Sequence, residues 1–307
     1  MSSVDIEIRG LEVGFGSVRA VRSVDLRVPA GEVTVVVGES GCGKSTLLRA
    51  ILGLLPAQAS VSGTIRLGDL DMADLRERDR RRLRGSRMGY VPQNPFVGLD
   101  PLRRVGAHLR DAARAHGVRL SAGEIKERFA AVGIADAYAD GRAYPGQWSG
   151  GMLQRACIAA ATLHDPPILL ADEPTSALDR DAQDLVLASL LGAQRTLLLV
   201  THDFRVAERI AHQIVVMYHG RIVEIGLAEP TATQPRHPYT RALHASVPRG
   251  RKLPMGLDGA PPSLASADAG CSFAPRCAEA RTECSVRVPE LIDGVRCHYP
   301  LTAGGPR

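Results

Sequence analysis

Residues 33–45, VTVVVGESGCGKS, decide the fold of this chain. A largely apolar run of β-branched residues, Val33 to Val37, is followed by a loop with three glycines and then by Lys44 and Ser45. An unbroken apolar strand is typical of a sheet that is covered on both faces. Leucine and isoleucine recur at helical spacing over residues 47–55, so a helix begins where the loop ends. Strand, glycine-rich loop and helix form the context in which the pattern G-x-x-x-x-G-K-S binds phosphate.

The residue types in this loop suit a polyphosphate ligand. Glycines allow successive backbone N–H groups to point towards one anion, and the positive end of the following helix lies at the same place. We expect Lys44 to reach the β- and γ-phosphates and Ser45 to provide a hydroxyl ligand to Mg²⁺. Cys42 and Cys157 are expected to be small packing residues rather than ligands, and the position of Cys42 beside Lys44 and a helix N-terminus favours a lowered pKa of its thiol. The predicted nucleotide-binding residues of this segment are Gly38, Glu39, Ser40, Gly41, Cys42, Gly43, Lys44, Ser45 and Thr46.

Composition and charge narrow the class of protein. Of the 307 residues, 45% are hydrophobic and 23% are charged, which argues against a disordered chain. No apolar run approaches the ~18–20 residues that a membrane helix needs, and residues 1–10 carry charges where a signal peptide would be apolar. We therefore expect a cytosolic protein whose six cysteines are free, metal-bound or redox-active. The net charge of +5 permits contact with nucleic acid or membranes without requiring it.

The order of the apolar runs predicts a largely parallel α/β sheet with a helical insertion. Strands are expected at residues 168–171, 196–200, 214–218 and 221–225, and the last two form a hairpin. The stretch at 102–164 favours helices. After about residue 232 frequent prolines predict an extension with little regular structure.

A second candidate site follows the apolar segment Ile168 to Ala171. This strand would place Asp172 at its end, where a carboxylate holds Mg²⁺ directly or through water. Glu173 is one residue further and can polarise the attacking water beside the γ-phosphate, because hydrolysis needs a positioned proton acceptor. The sequence therefore predicts a carboxylate pair that serves the same magnesium-bound nucleotide as the phosphate loop.

Two longer motifs resemble those of ATP-binding-cassette (ABC) ATPases. Residues 148–155, WSGGMLQR, resemble the family's signature, and residues 172–179, DEPTSALD, resemble its magnesium-binding strand end with the D-loop. Ser149 suits the N-cap of a helix that would present N–H groups to a phosphate. Trp148 stands where the family usually has leucine, and we expect it to pack against the helical subdomain.

Three single residues complete the resemblance. Gln93 in YVPQNP resembles the Q-loop glutamine, His202 in THD resembles the switch histidine, and Phe15 resembles the aromatic residue that stacks on adenine. The resemblance implies catalytic roles for Glu173, His202 and Gln93. It further implies Mg²⁺ ligation by Ser45, Gln93 and Asp172, and contacts across a head-to-tail dimer by Ser149, Gly150, Gly151 and Asp179.

The implied fold is α/β: a P-loop ABC ATPase with a RecA-like, mostly parallel sheet core, an antiparallel β subdomain and a helical signature subdomain, plus a Cys-containing C-terminal extension. We expect the nucleotide-binding domain at residues 1–232, with its helical subdomain at about 95–164, and the extension at 233–307. Within the extension, residues 237–243, HPYTRAL, resemble a segment of the ATPase subunits of oligopeptide, dipeptide and nickel importers.

The resemblance implies an ATP-hydrolysing subunit of a membrane ABC importer, located at the cytoplasmic face of the cell membrane. Its implied partners are an identical or homologous ATPase subunit, two transmembrane permease subunits and, indirectly, an extracellular solute-binding protein. Peptides are the favoured cargo, and nickel or a metal chelator is the alternative. A soluble ABC ATPase acting on ribosomes or nucleic acid is a rival that the arginine-dense residues 72–87 could support, although a charge run is usually a solvated face. No nucleic-acid partner is expected.

Four cysteines near the C-terminus form a candidate metal site: Cys271, Cys277, Cys284 and Cys297. They are separated by five, six and twelve residues, without the tight C-x₂₋₄-C pairs of structural zinc sites. Four thiolates can bind an iron–sulfur cluster, and similar cysteine sets in peptide-importer ATPase subunits hold a [4Fe–4S] cluster in some members. Zinc, unliganded thiols and an iron–sulfur redox protein with a vestigial ATPase are the alternatives.

Overall fold

The computed structural model describes residues 3–135, 138, 140–176, 178–192, 195–247, 257–265 and 269–302. The chain forms two compact units, which we name by the motifs that they contain. The phosphate-loop unit comprises Ile6–Ala73 and Val200–Arg307, and the signature unit comprises Met1–Asp5 and Asp74–Leu199. The predicted domain boundary after residue 232 lies inside the phosphate-loop unit and stays a prediction.

The secondary structure agrees with the strands predicted in the second half of the chain. In the described residues the strands are β1 (Ile6–Phe15), β2 (Val18–Val28), β3 (Val33–Val37), β4 (Ser60–Leu67), β5 (Leu70–Asp71), β6 (Met88–Val91), β7 (Ile168–Asp172), β8 (Thr196–Thr201), β9 (Gln213–Tyr218) and β10 (Arg221–Leu227). The helices there are α1 (Lys44–Ile51), α2 (Glu77–Ser86), α3 (Pro95–Gly98), α4 (Val105–Arg114), α5 (Ala122–Ala131), α6 (Gly150–Ala161), α7 (Arg180–Leu191), α8 (Phe204–Ile210), α9 (Ala228–Thr233), α10 (Pro238–Ala245) and α11 (Thr282–Val286).

The phosphate-loop unit contains an antiparallel sheet with the strand order β2-β1-β4-β5. β1 pairs with β2 down to Phe15 and Val18, so the hairpin turn follows Phe15 directly. Buried residues recur along β1 and β2, which is expected when one face of a sheet covers a core. This sheet confirms the predicted antiparallel β subdomain.

The phosphate-loop unit also contains the strand that leads into the phosphate loop. All five residues of β3 are buried, and β3 pairs in parallel with β9 from Thr34↔Gln213 to Val37↔Val216. β9 continues into β10 as an antiparallel hairpin, whose turn residues His219 and Gly220 have φ values of 49° and 78°. The predicted hairpin is therefore confirmed, and β3 delivers the loop from a fully buried strand.

The signature unit combines parallel strands with the predicted helical insertion. β6 and β7 pair in parallel from Met88↔Ile168 to Val91↔Ala171, and β8 is the next neighbour of β7 in the strand order. Helix α5 begins with a capping box between Ser121 and Glu124, which satisfies two backbone donors. Helix α2, in the arginine-dense run, has no buried residue, as expected for a solvated helix.

The extension contains more helix than its prolines suggested. Pro238 occupies the first turn of α10, and the His237 ring accepts a hydrogen bond from the N–H of Tyr239 at 3.0 Å. Proline is favoured at a helix start because its missing N–H would have no partner inside the helix. The end of the extension is bonded to β10, since the N–H of Ile225 donates to the Gly294 carbonyl and that of Arg296 to the Val223 carbonyl, both at 2.8 Å.

Among the described residues, no helix combines the length and apolar composition that are required to span a bilayer.

Candidate nucleotide-binding site

At two positions the phosphate loop has a left-handed backbone conformation that only glycine adopts readily. Gly41 and Gly43 have φ values of 80° and 108°. A Cβ added at Gly43 would lie 2.2 Å from the carbonyl oxygen of Ala20 on β2, and a Cβ at Gly38 would lie 2.2 Å from that of Met217 on β9. The loop is therefore held between two strands, and its glycines are required by left-handed backbone at Gly43 and by close approach at Gly38.

Lys44 lies over this loop with its side chain buried. Lys44 is 5% exposed, and its ammonium group donates hydrogen bonds to the carbonyl oxygens of Gly38 at 2.8 Å and Glu39 at 3.0 Å. Helix α1 begins at the same residue. A buried cation at a helix N-terminus beside a glycine-rich loop is an arrangement that attracts polyphosphate.

The pKa of the Cys42 thiol shifts in the opposite direction to the one expected from its neighbours in the sequence. Burial raises the pKa of Cys42, and this effect exceeds the lowering by the Lys44 charge. The prediction of a lowered pKa was therefore wrong, because sequence position shows the adjacent cation and not the loss of solvent. Cys42 is a packing residue of the loop, with its carbonyl accepting a hydrogen bond from the N–H of Gly220 at 2.9 Å.

In the signature unit, the carboxylates lie at the end of β7. Asp172 and Glu173 are 2% and 7% exposed, and the Tyr90 hydroxyl lies 3.5 Å from Asp172 Oδ2. Glu173 has a φ of 46°, a left-handed conformation that non-glycine residues adopt at a cost and mostly at functional sites. Ser176 donates to the Glu173 carbonyl from both its N–H and its hydroxyl, at 3.1 Å and 2.9 Å. These bonds hold the strained backbone that orients the carboxylate.

The signature segment forms the start of α6. The Ser149 hydroxyl accepts a hydrogen bond from the N–H of Met152 at 3.2 Å, which makes Ser149 the N-cap as predicted. A Cβ at Gly151 would lie 3.1 Å from the Ala182 Cβ on α7, so glycine permits close packing of the two helices. Further along α6, the Gln154 side chain donates to the carbonyl of Pro92 at 3.0 Å. This bond connects the signature helix to the residue that precedes Gln93.

Trp148 packs inside the helical subdomain, as the sequence analysis expected. It is 5% exposed, and its ring meets those of Phe129 and Tyr138 edge-on, with centroids 5.4 Å and 6.4 Å apart. Edge-to-face contact is favourable for aromatic rings. The tryptophan therefore substitutes for the family's leucine as a core residue adjacent to the signature.

The remaining predicted residues lie at turns and helix starts. Asp179 caps α7 by accepting from the N–H of Ala182 at 2.8 Å, while Ala177 of the D-loop lies outside the described residues. Gln93 is exposed after β6, and His202 is exposed after β8. Phe15 is half-buried at the hairpin turn of the antiparallel sheet. Phe15, His202 and the phosphate loop belong to the phosphate-loop unit, and the other motif residues belong to the signature unit.

The four C-terminal cysteines come together although their spacing matches no standard pattern. All four line one cavity of about 10 Å³ together with His237, whose buried Nε2 has no hydrogen-bond partner among the residues that the structure describes. Burial raises the thiol pKa of Cys271 and Cys277, and that of Cys297 to about 11. Within the residues that the structure describes, no three His, Cys, Asp or Glu side chains are grouped so as to hold a metal ion. Four thiols are the donor set of a thiolate-bound group, but in this structure neither their grouping nor the volume of the cavity is that of a preformed site.

Two residues beside the phosphate loop were missed by the sequence analysis. The Tyr239 hydroxyl accepts a hydrogen bond from the N–H of Glu39 at 2.9 Å, and the Arg276 guanidinium pairs with the Glu39 carboxylate. Tyr239 lies in the HPYTRAL segment and Arg276 immediately precedes Cys277. Both neighbouring motifs were recognised, but nothing in the sequence indicated that they contact the loop.

The comparisons with known proteins agree with this geometry. A family profile described as ABC transporter matches residues 21–176, and one described as the C-terminal region of oligopeptide/dipeptide transporters matches residues 223–284. Two cassette structures of MJ0796, both solved as dimers and one of them in a post-hydrolysis state with ADP and phosphate, align over 73% of this chain and 99% of theirs. Their TM-scores are 0.63 and 0.64, with 26% and 27% sequence identity. The chain belongs to the ABC transporter family and has its ATP-binding-cassette fold.

Three relatives that match this chain over most of its length are named as peptide transport ATP-binding proteins. The dipeptide transport ATP-binding protein DppD of Bacillus subtilis is 38% identical over 91% of this chain and 88% of the relative. DppD of Haemophilus influenzae is 35% identical over 98% of this chain and 97% of the relative. The oligopeptide transport ATP-binding protein OppD of Mycobacterium tuberculosis is 39% identical over 95% of this chain, which spans only 50% of that relative.

Proposed function

We propose that this chain is the ATP-hydrolysing subunit of a membrane ABC importer for dipeptides or oligopeptides. The observation that carries the proposal is the phosphate loop with buried Lys44, in a chain whose C-terminal region matches the oligopeptide/dipeptide transporter profile. The names of the relatives favour peptides over nickel or a metal chelator as cargo. Three arginines of α2, Arg81, Arg82 and Arg84, pair with Glu77 or Asp79, which reduces the positive field that a nucleic-acid partner would need.

Each motif residue then has a chemical role. Phe15 stacks on adenine, and the loop backbone with Lys44 binds the phosphates. Ser45, Gln93 and Asp172 would hold Mg²⁺, which when bound supplies charge neutralisation on the phosphate oxygens. Glu173 accepts the proton of the attacking water, and His202 contacts the γ-phosphate side of the site.

A second ATPase subunit, identical or homologous, is part of the proposal. At the start of α6 Ser149 is exposed, Gly150 is half-buried and Gly151 is buried, so a phosphate held by another chain could approach the helix N-terminus at Ser149 and Gly150. Asp179 begins the next helix and would link the two nucleotide sites. The dimeric MJ0796 cassettes support this arrangement.

Two permease subunits at the cytoplasmic face of the membrane are the proposed docking partners. Phe96, Val97 and Leu102 follow Gln93 and are 54%, 82% and 85% exposed. Large apolar side chains exposed this fully are typical of a surface that a partner covers. An extracellular solute-binding protein would select the cargo and reach this chain only through the permeases.

The proposal is tested by Mg·ATP binding to the purified chain. Replacing Lys44 with alanine should weaken binding at least about tenfold and stop hydrolysis, because charge-assisted contacts to phosphate are among the strongest single interactions. Lys126→Ala, at an exposed position on α5, is the matched control and should bind like the unmodified chain. Binding can be followed with a fluorescent ATP analogue. An unmodified chain that ignores Mg·ATP would overturn the proposal.

We extend the proposal to a [4Fe–4S] cluster at the four C-terminal cysteines. Its support is that these cysteines line one cavity although five, six and twelve residues separate them in the sequence, and iron–sulfur clusters take four thiolates. Replacing Cys277 and Cys284 together with serine should abolish the visible chromophore and the bound iron, while ATP binding persists.

The metal content of anaerobically purified protein distinguishes the alternatives. Cys157→Ser is the control, because Cys157 is buried on α6 in the signature unit, whereas the cavity lined by the four C-terminal cysteines belongs to the phosphate-loop unit. It should leave the iron content unchanged. Stoichiometric zinc without a chromophore, or no metal at all, would contradict the cluster.

A further inference from the structure

The second residue of the phosphate loop forms an ion pair with the C-terminal extension. Arg276 donates from Nη1 to Glu39 Oε2 at 2.7 Å and from Nη2 to Glu39 Oε1 at 3.0 Å. The Arg276 side chain is 5% exposed and that of Glu39 is 25% exposed. Bidentate arginine–carboxylate pairs fix geometry as well as charge, and a partly buried pair is screened less by salt than an exposed one.

Arg276 itself is held from several sides. Its Nε donates to the Asp258 carbonyl at 2.9 Å, and its Nη1 lies 3.3 Å from the Tyr218 hydroxyl. The guanidinium carbon also lies 5.9 Å from the centroid of the Tyr218 ring. The hydrogen bond with Glu39, followed by that with Tyr218, raises the pKa of Arg276 against the effect of burial. The guanidinium therefore has one defined position from which it meets the loop.

The extension also holds the backbone of Glu39. The N–H of Glu39 donates to the Tyr239 hydroxyl at 2.9 Å, and the Tyr239 ring is packed against Tyr218 and Phe273, with centroids 4.6 Å and 5.3 Å away. The carbonyl of the same residue accepts from Lys44 Nζ at 3.0 Å. One loop residue thus connects the extension, through its side chain and its N–H, to the lysine that is proposed to bind phosphate.

The segment that carries Arg276 also lines the cysteine cavity. Arg276 ends the 3₁₀ turn Ala274–Arg276, and the cavity wall includes Phe273, Ala274 and Cys277 on either side of it. A change in the backbone of this turn would therefore move the guanidinium that pairs with Glu39.

We propose that Arg276 is a positioning residue of the nucleotide site, which fixes the phosphate loop through Glu39 and so makes the C-terminal extension part of the ATP-binding machinery. The inference rests on the proposed function, because it requires that the loop binds Mg·ATP. It assigns to the extension a role at the nucleotide that is separate from cargo or permease recognition.

The test is a double-mutant cycle on Arg276 and Glu39. Arg276→Gln should raise the Kd and KM for Mg·ATP about tenfold, because part of the binding free energy must then order the loop. The change in kcat at saturating ATP should be smaller, because bound ATP holds the loop in place. Glu39→Gln should have a similar effect, and the double variant should be no worse than either single variant. Arg276→Lys, which keeps the charge and loses the bidentate geometry, should recover part of the affinity.

The matched control is Arg241→Gln, which removes the ion pair of Arg241 with Glu279 in the same extension, at 3.0 Å. Both partners of that pair are about half exposed, so the variant should bind Mg·ATP like the unmodified chain. Additive effects of the two substitutions, or an unchanged Kd in folded Arg276→Gln protein, would overturn the positioning role. Absence of binding in the unmodified chain would instead overturn the proposed function, so the two failures are distinguishable.

Discussion

Replacing Glu173 with glutamine should reduce ATP turnover by about 10²- to 10⁴-fold, the usual contribution of a general base, while ATP binding is retained. Glutamine has nearly the same shape as glutamate but accepts no proton at neutral pH. The carboxylate is 7% exposed at the end of β7, and Ser176 holds its backbone in place with two hydrogen bonds. The substitution therefore removes the proton acceptor and leaves the local fold unchanged.

The measurement is steady-state phosphate release together with ATP affinity and size-exclusion chromatography. Because the nucleotide would stay unhydrolysed, the variant should also accumulate as an ATP-bound dimer. Glu127→Gln, at an exposed position on α5, is the matched control and should hydrolyse ATP at the unmodified rate. Hydrolysis that persists at full rate in Glu173→Gln would remove Glu173 from the role of general base.

Local patterns in the sequence were sufficient to predict the strands that lead into the motifs. β3 has the predicted bounds, Val33–Val37, because five consecutive β-branched or apolar residues leave few alternatives to a buried strand. β4 was missed, since Ser60 to Thr64 are exposed and the strand depends on pairing with β1 rather than on its own alternation. Helix α10 was missed because a local signal was misinterpreted. Pro238 was counted among the prolines that disfavour regular structure, whereas it occupies the first turn of the helix.

The site shows where sequence reasoning reaches its limit. The loop and the carboxylate pair are contiguous motifs that residue type and spacing identify, and the signature is a contiguous motif that its resemblance to the family identifies. The contact between Arg276 and Glu39 joins residues that are 237 positions apart, and the raised pKa of Cys42 depends on burial by the folded chain. Four cysteines without zinc-like spacing meet at one cavity, which only the tertiary structure brings about.

Replacing Gly43 with alanine should destabilise the folded chain by about 2–5 kcal/mol, as the sum of two effects. A non-glycine residue with left-handed backbone costs about 1–2 kcal/mol, and overpacking a tight site costs about 1–3 kcal/mol. Gly43 has a φ of 108°, and its added methyl would lie 2.2 Å from the Ala20 carbonyl. That oxygen belongs to the backbone of β2 and cannot rotate away, so the loop itself must shift.

The shift should also abolish Mg·ATP binding, because Gly43 immediately precedes Lys44 and the start of α1. Urea unfolding and fluorescent-nucleotide binding measure the two effects separately. Gly146→Ala is the control, since a methyl there meets no atom of the described residues within 4 Å and the backbone is not left-handed, and it should change neither quantity. Folded Gly43→Ala protein that binds Mg·ATP normally would show that the loop tolerates displacement, and the close contact with β2 would then have no part in positioning Lys44.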